Sequence, residues 1–179
     1  LISEVCKGRG DKLFLHTAGS MSMSCFEGKT LHYGVFYPMQ TFSKAKDVCF
    51  ENIPVFIEGN SAETEEVIRS LANMLSKRVI TLSSADRKYL HLAAVWACNF
   101  TNHCYSVASD ILSEHGIPFD VMLPLINETK EKIQKISPKE AQTGPAVRGD
   151  KNVMGQQLEL MSDRADLQEL YKMLSKGIN

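Results

Sequence analysis

The chain has 179 residues, a formal net charge of −1 at pH 7 and 44% hydrophobic residues, enough apolar material for one large or two small domains. The near-neutral balance gives no basic field for nucleic acid, and no apolar run approaches the roughly 18 residues of a membrane span, so neither is an expected partner. Cys6, Cys25, Cys49, Cys98 and Cys104 form an odd set without a C-x-x-C pair, so neither a disulfide framework nor a metal site is expected and a reducing cytoplasm suits the chain.

Leu1-Ile2-Ser3-Glu4-Val5 reads as the end of a helix. Gly8-Arg9-Gly10 reads as a turn, because it precedes a strand and Leu13 stands where a dinucleotide fingerprint needs its third glycine. Short apolar runs bounded by turn residues predict strands at 12–16, 32–37, 54–58 and 79–82. Between the last two, a helix is expected over 61–77, with Asn60 as its cap, Glu63, Glu65 and Glu66 near its start, and Lys77 and Arg78 at its end. This is α/β patterning. From residue 83 on the pattern is helical: 84–114 up to Gly116-Ile117-Pro118, then 119–136, a new start at Ser137-Pro138-Lys139-Glu140, a break at Gly144-Pro145, and helices over 151–161 and 164–176. Two domains are expected, 1–82 and 83–179.

No P-loop, H-E-x-x-H or G-x-S-x-G motif is present, so chemistry has to be sought in loops and in the long helix. At about 100° per residue, Arg87, His91, Asn102, Ser106 and Ser109 share one stripe of that helix, opposite Tyr89, Ala93, Trp96, Phe100, Val107 and Ile111. Two readings stand: a core helix whose polar groups bond to neighbouring turns, or a helix lining a cleft. His103 projects toward the apolar side, as a core or interface residue. Three loops add candidates. His16-Thr17-Ala18-Gly19-Ser20 and Tyr37-Pro38-Met39-Gln40-Thr41-Phe42-Ser43 each follow a strand, where α/β sheets hold ligands or simply turn. In the third, around Gly144-Pro145, Arg148 could fork onto an anion or pair with Asp150 as scaffold.

Those loops, with Gly34-Val35-Phe36 and the segment from His91 to Tyr105, resemble the Rossmann-like NADP oxidoreductases whose helical C-terminal domain has no assigned function. That family is similar in layout to pyrroline-5-carboxylate reductase and prephenate dehydrogenase. The resemblance implies the remainder of a dinucleotide-binding domain followed by a 6-phosphogluconate-dehydrogenase-like helical domain that dimerises and closes over a small substrate. It also implies that the glycine-rich first unit lies upstream of Leu1, which leaves NAD and NADP undistinguished. On this reading His91, Asn99 and Asn102 are catalytic, and His16, Thr17, Gly19, Ser20, Pro38 and Gln40 hold the cofactor. Thr41, Ser43, Thr143 and Arg148 hold the substrate. The expected activity is hydride transfer to or from a small carbonyl or imine compound. The alternative is a dimeric ligand-binding or regulatory module without catalysis.

Overall fold

The computed structural model describes residues 1–44 and 47–178. They form two compact units, one covering Leu1–Ser106 and the other beginning at Val107. The first opens with α1 (Ile2–Cys6), after which Gly8, at a φ of 70°, makes the left-handed turn toward β1 (Leu13–His16). With β2 (His32–Pro38), β3 (Val55–Gly59) and β4 (Val79–Thr81) it builds a sheet in the order β1-β2-β3-β4. β1 and β2 pair in parallel, β2 and β3 antiparallel, and β3 and β4 in parallel across the crossover helix α2 (Ala62–Asn73). This is the Rossmann-like α/β part, and the chain continues as helices alone.

Strand alternation divides the side chains between two faces. Phe36, Val55 and Ile57 turn toward α2, where Ile68 and Ala72 complete a buried core flanked by Leu13, Leu15, Phe50 and Val79. On the other face Phe14, His16 and Tyr33 gather around Phe26, which sits in a short 3-10 turn (Met23–Phe26). Asn60 does not cap α2. Its side chain accepts from the Tyr33 N–H at 3.0 Å and donates to the Leu31 carbonyl at 2.9 Å. Ser61 is the cap, its hydroxyl accepting the Thr64 N–H at 3.1 Å.

The helix expected over 84–114 is interrupted. α3 (Ser84–Ala94) and α4 (Thr101–Glu114) are joined by a π-helical turn, Val95–Phe100. A π turn takes in an extra residue, so the residues beyond it are rotated by about 100° from the straight helix that the periodicity assumes. The predicted stripe therefore splits at the turn, with Asn102, Ser106 and Ser109 rotated away from Arg87 and His91. Before the turn Arg87 is taken up in a buried ion pair, and on the face expected to be apolar Tyr89, Trp96 and Phe100 stand 74%, 60% and 46% exposed. His103 is exposed as well.

In the second unit a 3-10 turn (Phe119–Met122) precedes α5 (Leu123–Lys132), so the helix expected over 119–136 is shorter at both ends. Ser137 and Glu140 do form their capping box, with the Glu140 N–H 3.3 Å from the Ser137 hydroxyl and the Ser137 N–H 3.1 Å from the Glu140 carboxylate. Beyond it the chain only turns, because Gly144, at a φ of 109°, and Pro145 break the backbone before a helix can propagate. α6 (Lys151–Glu159), capped by Asp150, and α7 (Ala165–Ile178) come next. Among the described residues no helix is long and apolar enough to cross a membrane.

Candidate active-site cleft

Because β1 and β2 are parallel, the loops leaving their carboxyl ends emerge on one edge of the sheet, the edge where open α/β sheets hold ligands. His91 on α3 meets that edge. Its Nδ1 lies 3.3 Å from the Tyr37 hydroxyl, with the two rings edge-on. Gly19, buried in the loop after β1, packs against both: a Cβ there would lie 2.5 Å from His91 Nδ1 and 2.9 Å from the Tyr37 hydroxyl oxygen. Only glycine allows this approach. Burial pushes the Tyr37 phenol up, against a weaker opposing pull from Arg87, so it stays protonated and able to donate.

Tyr37 and His91 form one end of a cleft of about 340 Å³ whose other walls include Met39, Gln40, Thr41, Ala94, Cys98 and Asn99. A second hollow of about 530 Å³ shares Thr41, Ala97, Cys98 and Asn99 with it and reaches Thr101, Asn102 and Tyr105. The π turn decides which asparagine joins His91. Eight residues on, Asn99 would sit about 80° away on a straight helix; with one residue taken up by the turn the offset is nearly seven residues, which is two full turns. Asn102, the expected companion of His91 on the stripe, is displaced to the second hollow.

Below the cleft, a polar network fixes the start of α3. Glu58 at the end of β3 accepts from the Arg87 guanidinium at 2.8 Å, from the Ser84 N–H at 2.8 Å and from the Ser84 hydroxyl at 2.5 Å. Burial disfavours the Glu58 charge, but the Ser84 and Arg87 bonds outweigh it and hold the carboxyl below the usual range. Arg87 also donates to the Met21 carbonyl and the Ser84 hydroxyl. It is scaffold that anchors the loop after β1.

Of the cofactor candidates, Gln40 lines the cleft, its side-chain carbonyl accepting the Thr41 N–H at 2.9 Å, while Gly19 packs against the His91 and Tyr37 side chains at one end of it. Pro38 is absorbed in β2, paired with Val55. His16 turns to stack on Phe26 and accepts the Ala18 N–H at 3.2 Å. Thr17 and Ser20 are exposed on the loop. Of the substrate candidates, Thr41 borders both hollows and Ser43 is exposed beyond them. Thr143 and Arg148 belong to the second unit, Thr143 bordering a hollow of about 150 Å³ with Glu128, Thr129 and Lys132, and Arg148 exposed. Tyr37 is a site residue that the sequence does not single out. Its one signal is a phenol at the outgoing end of an apolar strand, which by itself looks like any strand aromatic. Among the described residues no group of three His, Cys, Asp or Glu could hold a metal ion.

Residues 53–178 match the family model described as Domain of unknown function (DUF2520). A crystal structure of a putative NADP oxidoreductase from Bacteroides fragilis is similar at 50% identity and a TM-score of 0.95, covering 99% of this chain and 69% of that one. A Thermotoga maritima protein described without an activity is 23% identical with a TM-score of 0.76, over 94% of this chain and 68% of that one. A putative oxidoreductase from Mycobacterium avium shares the fold at 9% identity and a TM-score of 0.58, over 99% of this chain and 71% of that one. No curated protein matches the chain.

Proposed function

The chain belongs to the DUF2520 family, and from that premise and the cleft beside His91 we propose that it serves an NADP- or NAD-linked oxidoreductase acting on a small carbonyl or imine compound. The observation that carries this reading is the convergence of Gly19, Tyr37 and His91 on one end of a cleft rimmed by Gln40, Thr41 and Asn99. The Bacteroides fragilis relative, named for NADP, supports the cofactor.

The residues present fit the nicotinamide end of such a cofactor. A space of about 340 Å³ with alanine on its helical wall admits a flat ring. The amides of Gln40 and Asn99 suit a carboxamide. When bound, the nicotinamide gives or takes the hydride. This chain's own residues do the rest. His91 donates a hydrogen bond to the carbonyl oxygen or imine nitrogen as negative charge collects there. The proton that completes the alcohol or amine comes from water through the open rim, where Asn99 and Cys98 are exposed.

The exposed Tyr89, Leu92, Trp96 and Phe100 on the same helical segment support assembly as a homodimer.

NADPH oxidation across a panel of small aldehydes, ketones and imines tests the activity. Replacing His91 by alanine is expected to lower turnover by about 10²-fold or more while the fold survives. A variant that melts several degrees lower yet turns over normally would make His91 a structural residue. Nucleotide binding without any turnover would favour the regulatory module.

A further inference from the structure

We propose that Tyr37 is a positioning residue for His91: its hydroxyl holds Nδ1 and so keeps the ring proton on Nε2, the nitrogen left to serve the cleft. The inference rests on the reading of His91 as the donor to substrate, and it assigns a function to a residue that the family description leaves unassigned.

The placement of Tyr37 is fixed by the sheet. Its pairing with Phe56 across β2 and β3 sets its register, and alternation puts it on the face opposite Phe36, which packs toward α2. Its hydroxyl stands 3.3 Å from His91 Nδ1. A neutral imidazole carries one proton, and a nitrogen that accepts a hydrogen bond is not the one that bears it. A phenol can donate or accept; in our assignment the Tyr37 hydroxyl, kept protonated by burial, donates to Nδ1. Gly19 covers the same pair from the loop after β1, where a Cβ would lie 2.5 Å from Nδ1 and 2.9 Å from the phenolic oxygen. The absence of a Cβ there leaves the contact intact. A histidine so held meets its substrate in one tautomer and one orientation, at no entropic cost during the reaction.

The test is the nitrogen NMR spectrum of His91 in the full chain at neutral pH, in wild type, Tyr37→Phe and Gly19→Ala, each followed by turnover. In wild type the shifts should report one dominant tautomer with the proton on Nε2. Tyr37→Phe should give a mixture of tautomers and lower kcat about tenfold, the worth of one hydrogen bond, with KM little changed. Gly19→Ala, which wedges the pair apart from the other side, should shift the spectrum in the same direction, and it stands as the second probe if Tyr37→Phe folds poorly. Unchanged His91 shifts in the variants would overturn the proposal. So would a full kcat in Tyr37→Phe when His91→Ala abolishes it. If wild type shows the single tautomer but oxidises no nucleotide with any compound, the positioning of His91 stands and the oxidoreductase reading fails.

Discussion

The carboxylate of Glu58 is committed to two donors from Ser84 and one from Arg87, and the Arg87 side chain is only 1% exposed. Replacing Glu58 by glutamine leaves a buried guanidinium without its counter-charge, which typically costs about 3 kcal/mol or more. Denaturant unfolding of Glu58→Gln should show a loss of that size; one under about 1 kcal/mol would mean that solvent reaches the pair. His16 gives a pH signature. Burial, helped by the Arg87 charge and opposed by the Ser22 backbone and Glu58, pushes its pKa below the ordinary 6.5. The unfolded chain therefore takes up a proton, as pH falls through 6.5, that the folded chain refuses. Stability is full above that value and is lost as pH falls toward the folded pKa. Between about pH 7.5 and about pH 5.5 wild type should lose more in Tm than His16→Gln, and equal losses would contradict the account. His16 also shows the limit of reading loops from sequence. As the last residue of a strand it sits where a cofactor ligand would, and only the stacking on Phe26 shows that the ring turns into the fold.

At the scale of elements, Asn99 and Asn102 separate the straight helix from the real one. Asn99→Leu should weaken nucleotide or substrate binding about tenfold, the worth of a hydrogen bond to a ligand, while Asn102→Leu changes binding at the His91 end by less than about threefold. Equilibrium titration of both variants measures the ranking, and the reverse order would mean that the helix runs unbroken in solution. All four strands lie within a residue of their expected ends, since short apolar runs between turn residues leave little else to form. The π turn was not legible, because helical periodicity is counted on a fixed 100° and Val95–Phe100 has no glycine or proline to mark a break. Asn60 and Ser61 are both good caps, and the choice fell to Ser61 because β2 claims the Asn60 amide, a contact between residues 27 apart. The box at Ser137 and Glu140 formed without its helix, so a correct local signal was overruled by the break at Gly144-Pro145. Of the site, His91, Asn99, Gly19, Gln40 and Thr41 could be named from sequence. Tyr37 could not, because its role exists only through a partner 54 residues away.

For the whole molecule, the exposed Trp96 and Phe100, their rings in T-shaped contact at 4.9 Å, with Tyr89 and Leu92 nearby, make an apolar surface that a second copy would cover. Sedimentation should find a dimer at micromolar concentration, held by an interface of well over roughly 1,000 Å², and Trp96→Glu should dissociate it. A stable wild-type monomer would remove the dimer from the account. In our proposal the cleft beside His91 receives the nicotinamide end of the cofactor. Calorimetric titration of NADPH and NADH into the full chain tests it most directly, with Ala97→Trp as the partner variant. Ala97 is exposed and borders both hollows, so a tryptophan there fills them without disturbing the core. Wild type should bind one of the nucleotides, and Ala97→Trp, melting at the same temperature, should bind it at least about tenfold more weakly. Equal affinity in the two proteins, or no binding by wild type, would contradict the proposal.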